Sequence, residues 1–305
     1  MTTGSQITAA GLKTIQDKVD LLLGTGSGTR GYGQYVLSVD YPIGELIKKD
    51  HWDAIRYDII NILTHQEGAT PSVISVNVGD LITYGPGSPN SAYDLLLETA
   101  SANRFNLGPG QSVVTSRGTQ SNSTTWKDYA YCVITLTFAD ANRARHFFNS
   151  GSKVRISSTR TGGSSTNQNT SWTNLLVSAG TKEFGAATGP VNFYTLTDSF
   201  QDYYSTSGTT PYSSNKYRLQ ARTPGVADNS SGTANVVELR VYFEDLYIDK
   251  DILSGFPAGT NPPSGFVDGT ITVSIEELRA AGLLAPTGSF TISPPSYSVS
   301  SFTSV

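Results

Sequence analysis

The residues able to do chemistry in this chain are few and spread out: His51, His65 and His146, the lone Cys132, and the carboxylates Asp245, Asp249, Asp251, Glu276 and Glu277. A structural zinc site gathers its ligands at short, regular spacings. His51 and His65 stand near opposite ends of one helical pattern, about 20 Å apart at ~1.5 Å per residue, and His146 is remote in sequence, so neither a metal nor any other cofactor is expected. Cys132 lies in "YAYCVITLTF", where Cys132, Ile134, Leu136 and Phe138 share one strand face, which predicts a buried small hydrophobe and not a nucleophile. Acyl transfer would need a serine on a G-x-S-x-G elbow beside a strand, and no such elbow is present. A glycosidase needs two carboxylates about 5 to 9.5 Å apart, and the five acids named above come nearest to clusters. "EDLYIDKD" lacks the glycine-containing calcium loop, so its acids read as solvated loop carboxylates. No catalytic residue is assigned.

The densest charge lies in "ANRARHFFNSGSKVRISSTRTGG", with Arg143, Arg145, Lys153, Arg155 and Arg160. Asp140 is placed to cap a short helix that Gly151 ends, followed by the strand "KVRISSTR", with Phe147 or Phe148 buried over a sheet edge. The cations then read as a solvated or interface-facing basic edge, and "TRTGGSSTNQNTS" as an exposed loop. "GTGSGTRGYGQ" resembles a phosphate loop only in its glycines: a helix precedes it and "YVLSV" follows, the reverse of the strand-then-helix order that phosphate binding requires. It reads as a flexible loop leaving a helix end.

The elements that must carry these residues change character along the chain. Apolar residues at helical spacing predict one helix over Ile7 to Leu23, ended by a left-handed Gly24, and a second capped by Asp50, striped by Trp52, Ile55, Ile59, Ile62 and Leu63 and closed by Gly68. A third opens at Asn90 or Ser91 and presents Tyr93, Leu96, Leu97 and Ala100. Residues 108–128 read as loop and turn. Beyond them "ITLTF", "KVRISSTR", "VNFYTLT", "KYRLQAR", "VVELRVYF" and "TITVSI" alternate as strands between Gly, Pro, Asn and Ser clusters. The expectation is an α+β chain: a helical, anchoring part over 1–107, a linker over 108–128, and an antiparallel, sandwich-like β-rich domain over 129–305.

Charged residues make up only 15% of the 305, against roughly 25% in an average globular domain, and the net charge is −4, which gives no basic footprint for nucleic acid. No stretch approaches a membrane span, and "MTTGSQITAAGLKTIQDKV" lacks the features of a secretion signal, so the Asn-x-Ser/Thr triplets at Asn122, Asn169 and Asn229 read as compositional accidents. Among "SFQDYYSTSGTTPYSSNKY", Tyr203, Tyr204, Tyr212 and Tyr217 stand as a contact surface, with coverage of a sheet edge as the alternative.

The series "GTGSGTRGYGQ", "WDAIRYDIINILTHQEG", "ANRFNL", "VITLTFADANRARHFFNSGSKVRISSTRTGG", "NTSWTNLLVSAGTKEFG" and "VDGTITVS" resembles, in that order, a family of virion structural proteins of tailed phages from marine bacteria, cyanophages among them. Its most specific part is the "ARHFFNSG" unit with "SWTNLL", hence Trp172, downstream. The family usually carries Tyr at the place of His146. The resemblance implies a virion structural protein without enzymatic activity and does not say where in the particle it sits. The expectation is a non-enzymatic component of a tail, neck or appendage, assembled with other virion proteins and with itself as a homo-oligomer, a trimer first. A receptor-binding adhesin for host surface glycan, a capsid decoration protein and a tail-associated glycan hydrolase are the alternatives.

Overall fold

The computed structural model describes residues 5–6, 9–40, 47–77, 83–84, 89–247, 265–286 and 288–305. Ile7, Asp249 and Asp251 lie outside them, as do the side chains of Asn90 and Ser91. The chain divides into two units, one of Met1–Val113, Asp140–Ser152 and Leu278–Pro294, the other of Val114–Ala139, Lys153–Glu277 and Pro295–Val305. The β-rich half expected over 129–305 is therefore not one contiguous block, because two of its segments fold with the helical unit.

The first unit holds the two-residue pair β1 (Ser5–Gln6) and β2 (Thr83–Tyr84), and the helices α1 (Ala9–Leu22), α2 (Lys49–Glu67), α3 (Pro89–Ala102) and α4 (Ala141–Asn149). Leu12, Ile15, Val19 and Leu22 of α1, the predicted Trp52, Ile55, Ile59, Ile62 and Leu63 of α2, and Tyr93, Leu97 and Ala100 of α3 are all buried. Fully burying a large apolar side chain contributes about 1.5–3 kcal/mol. Gly68 ends α2 in the left-handed conformation, φ 79°. Two cap expectations are corrected. Lys48, not Asp50, occupies the N-cap of α2, and His51 Nδ1 accepts from the Lys48 backbone N–H at 3.4 Å. Gly24 is not left-handed; space favours glycine there, since a Cβ would sit 2.7 Å from the Asp20 backbone carbonyl oxygen.

The remaining strands are β3 (Ser112–Asn122), β4 (Asp128–Thr137), β5 (Lys153–Thr161), β6 (Lys182–Phe184), β7 (Gln201–Ser207), β8 (Lys216–Arg222), β9 (Val236–Asp245), β10 (Thr270–Leu283), β11 (Ser289–Thr291), β12 (Ser296–Val299) and β13 (Thr303–Ser304). They form a five-stranded sheet, β11-β10-β5-β6 with β3 on β10, and a six-stranded sheet, β12-β4-β9-β8-β7 with β13 on β4. The central ladder is antiparallel and unbroken from Asp128↔Asp245 to Thr137↔Val236. In the second unit Cys132, Ile134, Leu136, Leu219, Val237, Leu239, Val241 and Phe243 of one sheet and Val154, Ile156, Ile271, Val273 and Ile275 of the other are buried in alternation, the pattern of a sandwich core. This is the α+β, sandwich-like architecture expected, with its helices mostly early and its strands mostly late.

Three element expectations fail for identifiable reasons. Residues 112–122 are a strand and not a linker; most of the β3 side chains are exposed or half-exposed, so the segment carries no apolar alternation to read. "VNFYTLT" is a short 3₁₀ turn at Phe193–Thr195, where the Asn192 side chain accepts from Tyr194 N–H and competes with extended backbone. Of "TRTGGSSTNQNTS", the first three residues belong to β5 and the last five to helix α5 (Asn167–Ala179), capped by Thr166, whose hydroxyl accepts from Asn169 N–H.

Candidate functional site

The basic stretch resolves residue by residue into scaffold. Asp140 caps α4, accepting from Arg143 N–H at 2.8 Å, Gly151 follows the helix end at φ 78°, and Phe147 and Phe148 are fully buried with their rings edge to face, 5.1 Å apart. Arg145 is 6% exposed and donates to the backbone carbonyls of Thr25 (3.1 Å), Gly26 (3.4 Å), Gly28 (3.2 Å) and Arg30 (3.3 Å) and to Asn142 Oδ1 (3.0 Å). Asn149 adds donations to Gly28 O and Gly31 O, and His146 Nε2 meets Thr25 O at 3.1 Å. The glycine loop is thus wound around a guanidinium and is not a free, flexible segment. Close approach explains Gly31 and Gly33: a Cβ at Gly31 (φ 97°) would lie 2.3 Å from Thr25 O, and one at Gly33 (φ 67°) 2.2 Å from His146 Nδ1, whereas Gly28 (φ 52°) faces open space and answers only to its left-handed backbone. Burial depresses the His146 imidazole, so it sits there neutral.

The expected basic edge also dissolves. Lys153 and Arg155 both grip Glu183, at 2.8 and 3.0 Å, and Arg160, 7% exposed, pairs with Asp268 at 3.1 Å. Burial pushes the Asp268 carboxyl up, but hydrogen bonds from Ser164 and Asn169 and the Arg160 charge win and hold it below the usual carboxylate range. Of the three histidines, His65 is the deepest: its Nε2 meets Ser150 O at 3.0 Å, its ring stacks on Phe290 at 4.1 Å, and burial lowers its pKa to about 4. Cys132 is buried and its thiol is pushed up to about 12. Glu276 is exposed while Glu277 is buried, ion-paired with Arg117 at 2.8 Å and accepting from Tyr297 at 2.9 Å, so these neighbours point to opposite faces. Asp245 accepts from Gln168, and burial raises its pKa to about 6. The triplet asparagines are all buried: Asn169 Nδ2 donates to Ser164 and Asp268, Asn229 Nδ2 to Phe193 O, and Asn122 Nδ2 to Thr124 O. Trp172 packs edge-on against Trp126, 5.3 Å between centroids, beside Phe243.

The tyrosine surface is corrected too. Tyr217 is fully buried and shares a hydrogen bond with Ser158; the Tyr203 hydroxyl is buried, with its ring 5.2 Å from Phe184. Tyr204 is half-buried under Lys182, whose Nζ lies 4.3 Å above its ring, and Tyr212 rests against Tyr247 at 4.5 Å. Strands β7 and β8 take Tyr203, Tyr204 and Tyr217 into sheet, with a bulge between Asp202 and Tyr204, and leave Tyr212 in the connection between them.

The open aromatic face lies instead on the outside of the six-stranded sheet. Tyr129 and Tyr131 of β4 and Tyr242 of β9 form a stack with centroids 5.9 to 6.0 Å apart. Three arginines lie among them. Arg218 pairs with Asp202 (3.0 Å) and Glu244 (3.5 Å), and Arg222 with Glu238 (2.7 Å). Arg240 donates to Gln220 Oε1 at 2.6 Å and lies 4.2 Å from the Phe200 centroid, 5.1 Å from Tyr242 and 5.7 Å from Tyr131. Tyr131, Val133, Thr135, Phe200, Arg222, Glu238, Arg240 and residues 298–300 line a groove of about 490 Å³. The period-2 rule that placed Cys132, Ile134 and Leu136 inside places Tyr129, Tyr131 and Val133 outside, so this face was available from sequence.

Among the described residues no group of His, Cys, Asp and Glu could hold a metal ion, and no helix is long and apolar enough to cross a membrane. No protein-family model, no curated protein and no solved structure matches the chain.

Proposed function

We propose that the chain is a non-enzymatic structural component of a tailed-phage particle, in a tail, neck or appendage, working through repeated subunit contacts as a homo-oligomer. One observation carries this reading. The histidines, the cysteine and, of the three described candidate acids, Asp245 and Glu277 are spent on internal structure, Glu276 stands alone on the exposed face of its strand, and the open feature is a broad sheet face of tyrosine and arginine, residue types enriched where proteins meet. Repetition supplies avidity without a deep pocket, because each further contact forms at high effective concentration. The resemblance of the glycine loop, the "ARHFFNSG" unit and "SWTNLL" to virion structural proteins supports the same reading.

Sedimentation analysis of the purified chain, together with quantitative mass spectrometry of purified particles, tests it. The expected result is a homo-oligomer, a trimer first, present in the particle at a fixed multiple of the portal. A monomer absent from particles overturns it.

A further inference from the structure

The groove on the outer sheet face has a charge arrangement that the particle role does not require. Arg218, Arg222 and Arg240 stand among Asp202, Glu238 and Glu244, so the cluster sums to neutrality, but the partners are unevenly shared. Arg218 takes two carboxylates and Arg222 one; among the described residues none lies within ion-pair distance of Arg240. Arg240 is nevertheless partly withdrawn from water, and burial pulls its basicity down, with Arg218 and Arg222 adding repulsion. Aromatic faces offset part of that cost: Phe200 meets both Arg240 (4.2 Å) and Arg222 (4.5 Å). The result is a guanidinium held in place by rings and by Gln220, with no carboxylate in ion-pair distance among the described residues, in a groove of about 490 Å³. That volume falls within the usual range for small-molecule sites, about 300–1,000 Å³.

The rest of the lining narrows the ligand. Thr135 of β4 and Ser298 of the edge strand β12 are paired in register and bring hydroxyls to the rim, beside the backbone of an edge strand. Tyr131 offers an aromatic wall. A group that concentrates two charges at one point, such as a phosphate, would press the second against Glu238 in the same groove; a singly charged carboxylate group matches the one guanidinium without an ion-pair partner among the described residues. We infer that this groove binds an acidic saccharide, with the carboxylate of a uronic-acid-type residue on Arg240, its hydroxyls on the Thr135 and Ser298 rim, and the apolar face of its ring against Tyr131. The inference stands on the groove and not on the particle assignment.

Calorimetric titration of the full chain with oligogalacturonate at 0.15 M salt, beside a neutral malto-oligosaccharide of equal length, tests this. The expected result is saturable binding of the uronate oligomer, one site per chain, with the neutral oligomer at least tenfold weaker. Arg240→Gln is expected to weaken uronate binding at least tenfold. Ser298→Trp, an exposed rim position outside the core, is expected to do the same by filling the groove, and it carries the test if the Arg240 variant does not fold. Lys13→Gln, which removes an equal charge on an exposed helix face, is expected to leave binding unchanged. Absence of binding, equal binding of the neutral oligomer, or full affinity in Ser298→Trp overturns the inference. So does a shift from oligomer to monomer in sedimentation caused by Ser298→Trp, which would show that a second copy of the chain occupies the groove.

Discussion

Arg145 and Arg240 are both guanidiniums partly or wholly withdrawn from water without a carboxylate partner among the described residues, and they do opposite things. Arg145 is enclosed by four backbone carbonyls and Asn142, so its donors are consumed by the chain that surrounds it. Arg240 has a side-chain amide and three aromatic faces, which hold it in position but leave donors over. What decides between scaffold and contact is therefore not the charge but what satisfies it. Carbonyls that converge on a cation form a core; rings that flank one form a surface.

The largest expected effect of breaking this contrast is at α4. Arg145→Ala leaves the converging carbonyls of Thr25, Gly26, Gly28 and Arg30 without their donor, and a loss of about 3–5 kcal/mol in unfolding free energy is expected from denaturant titration. Phe147→Ala and Phe148→Ala, at fully buried positions, should each cost a similar ~3–5 kcal/mol by cavity formation. If neither phenylalanine variant changes stability, the scaffold reading of the stretch fails.

Two buried groups, one in each unit, sharpen the comparison through pH. The Asp245 carboxyl titrates near pH 6 in the folded chain, above its ordinary 3.8, so between these values the folded state holds more protons than the unfolded state and stability falls as pH rises. His65 titrates near 4, below its ordinary 6.5, so there the unfolded state holds more protons and stability rises with pH from about 4 to 6.5. The two slopes oppose each other in the wild type. At ~1.4 kcal/mol per pKa unit, each is on the order of 3 kcal/mol across its window. Asp245→Asn should leave the His65 contribution exposed, a chain that loses stability on acidification from pH 6.5 to 4, and His65→Phe should show the reverse; denaturant midpoints across this range decide. The smallest expected effect on folding is at Arg240, where Arg240→Gln should lower unfolding free energy by about 1–2 kcal/mol, since its other contacts are ring faces and the one hydrogen bond lost is to the buried Gln220 amide oxygen.

The sequence made legible what depends on local period and caps: the α2 stripe, the buried face of β4 and the pair Phe147 and Phe148. It hid what depends on partners distant in the chain. Arg145 and the glycine loop are more than a hundred residues apart, so a loop that looks loose locally is fixed by a contact with no local signature. Likewise β3 is a strand only because β10 pairs with it, and its mostly exposed polar side chains carry no trace of that pairing. The four tyrosines from Tyr203 to Tyr217 looked like a recognition loop by composition, yet the alternation of "KYRLQAR" already placed Tyr217 and Leu219 on one buried face. Conversely, Tyr129, Tyr131 and Tyr242 occupy the outer face of strands whose strongest apolar signal lies on the inner one.

The central claim, that the fold serves assembly and contact rather than catalysis, is tested most directly by image reconstruction of the intact particle at a resolution that places this chain. The account predicts density for the chain as a repeated homo-oligomer, with the glycine loop closed around Arg145 in every copy. A particle without the chain, or one that holds it only as isolated single copies, would contradict it.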